Sequence, residues 1–336
     1  MKLWQSYRLR LRRRRWHIRA FRKSRELTCS SDNTAKINAN DVIVFSTIRN
    51  EDIRLPYFLE YYRNIGVNHF VFIDNGSDDG GPDFLRQQPD VTLYETQGSY
   101  KHSRFGMDWV NWLLKKIGHG HWCLVVDPDE FFVFPFSDNR PIQALTDWLD
   151  ASSLRSFSAM LLDMYPKGPI HDQAYKRGQN PLEITQWFDS GNYTYEKNHR
   201  FGNLWIQGGP RARAFFNNNP KQAPALNKVP LIKWHKRYVY ESSTHMVLPC
   251  GLNLAYEQNG GELASGVLLH TKFLDTLSVK AKEELARNQH YANSAEYKLY
   301  AQEIENSVDL WHRWSEQYIN WRQLEILGLM SKGNWA

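Results

Sequence analysis

The chain has only three cysteines, Cys29, Cys123 and Cys250, and they are far apart. An odd number of widely spaced cysteines fits neither a disulfide framework nor a zinc site with paired ligands. The sequence also lacks any apolar run near the roughly 20 residues that cross a bilayer. We therefore expect reduced, structural cysteines and a cytoplasmic protein that is soluble or bound to a membrane surface.

Acidic residues are absent from the first 25 positions, which hold eleven of the 42 lysines and arginines. The remaining residues carry 31 basic side chains against 36 acidic ones, a net charge of −5. A basic segment ahead of a mildly acidic body predicts a separate N-terminal arm, residues 1–40, rather than a basic surface for nucleic acid. Nucleic acid is therefore not the partner we expect.

The basic arm has an apolar stripe when it is drawn as a helix with about 100° per residue. The stripe contains Trp4, Tyr7, Leu11, Ile18 and Phe21, with Arg14 among them. A cationic helix of this kind can lie on anionic lipid, which predicts peripheral contact of residues 1–25 with the inner face of a membrane. A solvated tail, a nucleic-acid-binding arm and a transit-type signal are the alternatives.

Residues 41–136 alternate between strand and helix patterns. Predicted strands cover residues 42–47, "HFVFID", "VTLYE" and "WCLVVD", with helical patterns between them. This alternation predicts a Rossmann-like α/β fold, in which a mostly parallel sheet has helices on both faces. Because ligands bind at the carboxyl ends of such strands, the polar loops at residues 44–51, 73–79 and 126–130 should share one edge.

After residue 136 the pattern becomes irregular, with aromatic and Gly/Pro-rich segments such as "LWIQGGPRARAFFNNNP". These segments predict a second half, residues 137–275, with a mixed sheet and long functional loops. A helical region is expected over residues 276–336. Its stripe of Trp311, Trp314, Tyr318 and Trp321 predicts a helix face that packs on the body.

The apolar run "WCLVVDPDEFFVFPF" carries three carboxylates, Asp127, Asp129 and Glu130. Burial of ionised carboxylates is costly unless other charges or hydrogen bonds compensate. Pro128 favours an extended Asp127, and side chains two residues apart in an extended segment point the same way. Asp127 and Asp129 can thus bind Mg²⁺ or Mn²⁺ shared with substrate phosphates, while Glu130 faces a basic partner or supports the ligands from behind. The alternative is an acidic surface turn.

The segment "FIDNGSDDGG" ends the second predicted strand. An EF-hand requires glycine at its sixth position, where this segment has Asp79, and helices on both sides. As a strand-to-loop turn, it offers the carboxylate of Asp74 and the hydroxyl of Ser77 to a nucleoside, and its glycines allow a ligand to approach the backbone.

Together these segments resemble the nucleotide-binding half of a GT-A glycosyltransferase of family 2. "FSTIRNE", "DNGSDD" and the D-x-D motif "DPDE" follow three of the predicted strands in the order and spacing of that family. "GGPRARAF", "KVPLIKW", "STH" and "LLHTKF" are similar to a bacterial branch that also resembles family 92. The resemblance implies a GT-A fold, a nucleotide-sugar donor, for which a UDP-sugar is expected, and Mn²⁺ or Mg²⁺ between the D-x-D motif and its diphosphate.

The resemblance also implies roles for individual residues. Asp129 would bind the metal, with His270 completing the site and His245 as the rival, and Asp127 would contact the ribose or a metal-bound water. Residues expected to hold the nucleoside are Thr47, Arg49, Glu51, Asp74 and Ser77. Arg211 or Arg213 would stabilise the charge on the departing diphosphate, with ordinary surface ion pairing as the alternative.

Families 2 and 92 invert the anomeric centre, which implies one carboxylate base for the acceptor hydroxyl. The late acidic pair of family 2 has no clear counterpart here, so three alternatives stay open: Asp163, the first candidate because it ends the predicted strand "FSAMLLD", followed by Asp189 and Glu196. The processive Q-x-x-R-W motif is also missing, since "QYINW" lacks its arginine. We therefore expect transfer of a single sugar to a glycan, a lipid-linked or another hydroxyl acceptor, in cell-surface polysaccharide synthesis.

Two other functions are weaker. An aspartate-based phosphohydrolase normally carries its D-x-D motif on the first strand, with Thr or Val two residues after the second Asp, where this chain has Phe131. A nucleic-acid-binding protein would act through the arginine-rich arm, and deletion of residues 1–25 would abolish its affinity.

Overall fold

The computed structural model describes residues 3–255, 262–287 and 308–336. In this part of the chain the α-helices are α1 (Leu3–Lys23), α2 (Leu55–Asn64), α3 (Gly81–Arg86), α4 (Met107–Lys116), α5 (Ile142–Ala151), α6 (Thr276–Arg287) and α7 (Trp321–Ile326). The strands are β1 (Thr28–Ser31), β2 (Val42–Ile48), β3 (His69–Asp74), β4 (Val91–Glu95), β5 (Trp122–Val125), β6 (Glu130–Val133), β7 (Ser156–Asp163), β8 (Trp187–Asp189), β9 (Tyr193–Asn198), β10 (Asn203–Gly208), β11 (Asn227–Lys233), β12 (Val239–Ser242), β13 (Met246–Leu248), β14 (Ser265–His270) and β15 (Ser315–Gln317). Within these residues no helix is both long and apolar enough to cross a membrane.

A nine-stranded sheet forms the centre, in the order β1-β4-β3-β2-β5-β11-β7-β14-β6. Strands β4, β3, β2 and β5 are parallel neighbours, and β7 and β14 are parallel to each other. β11 runs antiparallel between β5 and β7, and the edge strands β1 and β6 are also antiparallel to their neighbours. The predicted α/β fold with a large, mostly parallel sheet is therefore confirmed.

Helices cover both faces of this sheet because alternate residues of its inner strands point to opposite sides. In β2, Val42 and Val44 pack in the core that contains Phe58 of α2 and Leu145 of α5. Phe45, on the opposite face of the same strand, packs in a second core that contains Leu113 of α4, among others. A strand buried on both faces needs a continuous apolar run, which is why "VIVF" shows no alternation.

Two terminal regions differ from their predictions. The basic arm does form a helix, α1, but the arm segment also contains β1, which is an edge strand of the central sheet. The tryptophan and tyrosine side chains at positions 311–321 do not form the predicted helix face. Ser315–Gln317 forms β15, which pairs with β8, and Trp314 is exposed. The tryptophan spacing suited a helix, but pairing with β8 determines the local backbone.

The loop after β5 links the middle of the sheet to its far edge, where the chain re-enters as β6. The register places Glu130 of β6 beside His270 of β14, and His270 beside Asp163 of β7. The ends of three strands thus bring together residues that are far apart in sequence. These charged strand ends form the candidate site.

Candidate functional site

His270 connects the D-x-D motif to the end of β7. Its Nε2 atom lies 3.3 Å from Oδ2 of Asp129, and its Nδ1 atom lies 2.6 Å from Oδ1 of Asp163. The backbone N–H of Thr271 donates to the carbonyl oxygen of Asp129 at 2.8 Å, which fixes the turn beside the end of β14. The imidazole is therefore held between two carboxylates.

Charges around His270 determine the protonation of this trio. Burial opposes the charged form of His270, but Asp129 and Asp163 outweigh it and raise the pKa of the imidazole. Burial likewise favours neutral carboxyl groups, yet His270 lowers the pKa of Asp129, and Arg211 with His270 lowers the pKa of Asp163. The two carboxylates therefore favour the protonated, cationic form of the buried imidazole between them.

Arg211 completes the support behind His270. It lies on a π-helical turn, Arg211–Phe215, and its Nε donates to Oδ2 of Asp163 at 2.7 Å. Asp163 and Arg211 are both buried, and each oxygen of Asp163 has a cationic partner. This arrangement holds Asp163 as an orienting group for His270, whereas the sequence predicted it as the first candidate for the base.

Lys228 of β11 pairs with the other two carboxylates of "DPDE". Its Nζ lies 2.9 Å from Oε1 of Glu130 and 3.8 Å from Oδ2 of Asp127. Glu130 is buried, so the expectation that it faces a basic partner is confirmed. Asp127 is different: its side chain is 57% exposed, although partial desolvation and then the charge of Glu130 raise its pKa.

The backbone of the D-x-D motif is a turn, not the extended segment that the sequence predicted. The N–H of Glu130 donates to the carbonyl oxygen of Asp127 at 3.0 Å, which closes the turn around Pro128. Asp127 accordingly faces Lys228, while Asp129 faces His270. The reason is that proline suits the second position of a turn as well as an extended chain.

A chain of polar contacts joins the loop after β2 to the D-x-D turn. Glu51 and Arg54 are both buried, with Oε2 of Glu51 3.3 Å from Nε of Arg54. Arg54 in turn donates to the carbonyl oxygen of Thr271 at 3.2 Å, next to the contact between Thr271 and Asp129. Glu51, predicted to hold a nucleoside, thus has a structural partner that reaches the candidate metal ligands.

Asp74 and Ser77 organise their own loop. Asp74 accepts hydrogen bonds from the N–H groups of Gly76 and Ser77, both at 3.1 Å, and from the Ser77 hydroxyl. Its carboxylate is buried at the end of β3, where desolvation raises its pKa. In this arrangement the two residues shape the loop that was predicted to contact a nucleoside.

The hydroxyl group of Thr47 lacks a hydrogen-bond partner in the described part of the chain. Its Oγ1 is buried and has no hydrogen-bond partner among the described residues. Gly106, with a φ of 77°, packs closely beside it, since a Cβ there would lie only 3.1 Å from that oxygen. A buried hydroxyl without a partner is costly, so this position at the end of β2 fits a polar ligand atom.

Helix α6 contacts the same loops. Nε of Arg49 lies 2.8 Å from Oε1 of Glu283, and Lys280 pairs with Glu51. Arg49 also donates to the carbonyl oxygen of Asn75 at 2.8 Å. The predicted nucleoside residues Arg49 and Glu51 are thus covered by charged side chains from α6.

The other two candidates for the base are in different surroundings. Asp189, at the end of β8, is buried and accepts two hydrogen bonds from Arg213, both at 3.1 Å, and one from the hydroxyl of Tyr165. Glu196 is exposed on strand β9 of the β9–β10 hairpin. The turn with Arg211 and Arg213 therefore holds Asp163 and Asp189, while Glu196 lies outside this group.

His245, the rival metal ligand, is bound elsewhere. Its Nδ1 donates to the carbonyl oxygen of Asn227 at 2.7 Å, and its ring packs against Trp205 at 6.2 Å between centroids. Burial, followed by the charge of Lys228, lowers the pKa of His245 to about 3. The structure thus pairs His270, and not His245, with the D-x-D motif.

Sequence reasoning missed Lys228, Arg54 and Lys280, which hold three of the carboxylates at this edge. Lys228 had a detectable signal, because a lysine inside the apolar segment "NKVPLI" requires a buried anion. Arg54, directly before α2, and Lys280, within α6, are ordinary charged residues of amphipathic segments, and their sequence context gave no such signal.

The residues of this site can supply two ligands to a divalent cation. Among residues 3–255, 262–287 and 308–336, no three His, Cys, Asp or Glu side chains are grouped so as to hold a metal ion. Asp129 and His270 nevertheless fit as two ligands, because ligand atoms about 2.1 Å from an octahedral ion lie about 3 Å apart. The bond from His270 to Asp163 is the carboxylate support that metal-binding histidines commonly have.

Comparisons with known proteins do not assign the chain to a family. No protein-family model matches the chain, and a search of curated proteins found no match to its sequence. Any assignment of function therefore rests on the residues and their arrangement.

Proposed function

We propose that the protein is a metal-dependent glycosyltransferase that moves one sugar from a nucleotide-sugar to a hydroxyl acceptor. The observation that carries this proposal is the pair of Asp129 and His270, 3.3 Å apart, with Asp163 behind His270. Mg²⁺ and Mn²⁺ often take one or two protein ligands and complete their shell with phosphate oxygens and water. A diphosphate is the ligand that such an incomplete site suits.

The position of the pair in the fold supports the same proposal. It lies where several strands end, and Thr47, near the end of β2, and Asp74, the last residue of β3, lie at the corresponding edge of their part of the sheet. Crevices at this edge of α/β sheets bind nucleotides. The GT-A type of the sheet, the UDP-sugar donor and a glycan or lipid-linked acceptor in surface polysaccharide synthesis remain parts of the proposal.

In this proposal each group of residues has its own role. Asp129 and His270 hold the cation, which would supply positive charge to the leaving diphosphate. Asp163 and Arg211 fix the tautomer and orientation of His270. Thr47 offers its unpartnered hydroxyl to the nucleoside, within the loops that Glu51 and Asp74 shape.

Arg213 and Asp189 take the roles closest to the transferred group. Arg211 is buried against Asp163, whereas about a third of the Arg213 side chain is exposed and can reach a phosphate. We assign the base to Asp189 rather than to Asp163, since Asp163 is required behind His270. Asp189 would take the proton of the acceptor hydroxyl as the oxygen of that group bonds to the sugar, and Arg213 would move from Asp189 towards the departing diphosphate, while Tyr165 and His312 keep their contacts with Asp189.

Thermal unfolding of the purified protein with Mn²⁺ and UDP, GDP, CDP, TDP or ADP tests the donor site. A ligand at a hundredfold excess over its Kd stabilises the native state by roughly 2.7 kcal/mol. We expect a rise in Tm that requires both Mn²⁺ and UDP and disappears in Asp129→Asn and His270→Gln.

The matched controls are Asp138→Asn and His119→Asn, which change a surface carboxylate and an exposed histidine. Both should keep the rise. If no nucleotide changes the Tm with Mn²⁺ present, or if the rise survives in Asp129→Asn and His270→Gln, the proposal is wrong. A positive result leads to assays of UDP release from UDP-sugars.

A further inference from the structure

Helix α1 has two different faces, and one of them is bound to the body of the protein. Leu9 and Ala20 are buried on this inner face, and the guanidinium of Arg104 lies 4.0 Å from the ring of Trp16. Arg19 pairs with Asp108 of α4 at 2.7 Å. The helix is therefore fixed to the fold and is not a free tail.

The outer face of α1 carries large apolar side chains that remain exposed. Five of the eleven exposed large hydrophobic residues in the described part of the chain lie on this one helix. They are Trp4 (66% exposed), Tyr7 (56%), Leu11 (47%), Ile18 (46%) and Phe21 (53%). Such a concentration on one stripe marks a surface for a partner, since single exposed apolar residues are ordinary but contiguous patches are not.

The same face is strongly cationic. Five exposed arginines lie within or beside the stripe: Arg8, Arg10, Arg14, Arg15 and Arg22. None of them forms an ion pair with a residue that the structure describes, whereas Arg12 and Arg19 on the flanks pair with Glu241 and Asp108. The helix contains no acidic residue. An occupant of this face must therefore be anionic and also accept apolar side chains.

We propose that the outer face of α1 lies on the surface of an anionic lipid bilayer. The anionic headgroups supply the negative charge for the five arginines. The tryptophan, tyrosine, leucine, isoleucine and phenylalanine side chains enter the boundary between the headgroups and the acyl chains. Nucleic acid would match the charge but offers no apolar layer to Leu11 and Ile18. This proposal does not rest on sugar transfer.

The attachment of α1 to the body has a consequence for binding. Because the inner face is already packed, the helix does not have to fold on the membrane, so binding avoids the entropy cost of ordering a tail. It also orients the body. Glu26, just after α1, accepts a hydrogen bond from the indole of Trp109 in α4 at 3.0 Å. Helix α4 begins directly after Gly106, which lies beside the candidate ligand position at Thr47.

Sedimentation of the full-length protein with vesicles tests the proposal. The vesicles are made of phosphatidylcholine alone or of phosphatidylcholine mixed with phosphatidylglycerol. We expect binding to the anionic vesicles only, weakening as the salt concentration rises. The triple variant Arg14→Gln, Arg15→Gln, Arg22→Gln should bind more weakly by about fivefold for each arginine removed.

The apolar side chains are tested by Leu11→Ser with Ile18→Ser, which should weaken binding at least tenfold. Matched controls on other surfaces are Ile319→Ser with Ile326→Ser and Arg155→Gln with Arg200→Gln and Lys221→Gln. Because all substituted side chains lie at the surface, circular dichroism and Tm should match those of the original protein.

Three results would overturn the proposal. The first is equal binding to neutral and anionic vesicles, or binding to neither. The second is an outer-face substitution that changes the mass of the protein in solution without lipid, which would identify a second copy as the occupant. The third is binding to single-stranded RNA that requires the same arginines while vesicle binding does not.

Discussion

The Nε2 atom of His270 and the Oδ2 atom of Asp129 lie 3.3 Å apart, at the end of β14 and in the turn before β6. This is close to the separation of two neighbouring ligands on one octahedral ion, about 3 Å. The imidazole ring of His270 lies between the carboxylates of Asp129 and Asp163. A divalent cation would enter the same setting and take the place of a proton on Nε2.

Binding of Mn²⁺ should therefore strengthen as the pH rises. The two carboxylates raise the pKa of His270 above its ordinary value near 6.5, so below that raised pKa a cation must displace a proton. Affinity should increase up to tenfold for each pH unit, below the raised pKa, and then level off. Isothermal titration in buffers of different ionisation enthalpy would count the released proton. His270→Gln should bind more weakly and lose the pH dependence; an unchanged slope in that variant would exclude His270 as a ligand.

Asp163→Asn should weaken metal binding, whereas Asp189→Asn should slow the chemical step. Asn at position 163 removes the carboxylate that orients His270, so affinity for Mn²⁺ should fall about 10- to 100-fold. Asn at position 189 leaves the metal pair intact, so nucleotide binding should persist while kcat falls by two orders of magnitude or more, the scale of general base catalysis, roughly 10²- to 10⁴-fold. Glu196→Gln, on an exposed strand, should change neither quantity. Loss of kcat with normal Mn²⁺ affinity in Asp163→Asn would reverse the two assignments.

The sequence was informative where a single segment determines the structure. Strands β3 and β4 match their predicted segments because uninterrupted apolar runs end at polar loops. The partners of the carboxylates were harder to predict, since Lys228 meets Glu130 across 98 positions of sequence. Such a contact depends on β11 entering the sheet beside β5, which no local pattern specifies. The prediction of an extended segment at Pro128 was wrong for a related reason. The turn is fixed by a hydrogen bond from Thr271, which lies at another strand end.

His245 should make the protein less stable in mild acid. Burial, followed by Lys228, lowers its pKa to about 3, whereas the unfolded chain takes up a proton below about pH 6.5. The unfolded state therefore gains protons first, and the free energy of unfolding should fall by up to about 1.4 kcal/mol for each pH unit below 6.5. His245→Asn keeps a donor for the Asn227 carbonyl but does not titrate. In urea unfolding at several pH values, this variant should have a shallower slope, and His119→Asn, at an exposed site, should retain the original one.

Removal of Lys228 should cost far more stability than removal of a surface cation. Glu130 is buried against its ammonium group, and Asp127 lies close by, so Lys228→Met leaves an uncompensated buried charge. The expected loss is about 3–5 kcal/mol in the free energy of unfolding. The double variant Lys228→Met, Glu130→Gln removes both charges and should recover most of that loss. Arg155→Met breaks the exposed pair with Asp150 and should cost less than about 1 kcal/mol. A Lys228→Met variant as stable as Arg155→Met would mean that Glu130 is solvated, and the charge pairing that holds the D-x-D turn in place would then be absent.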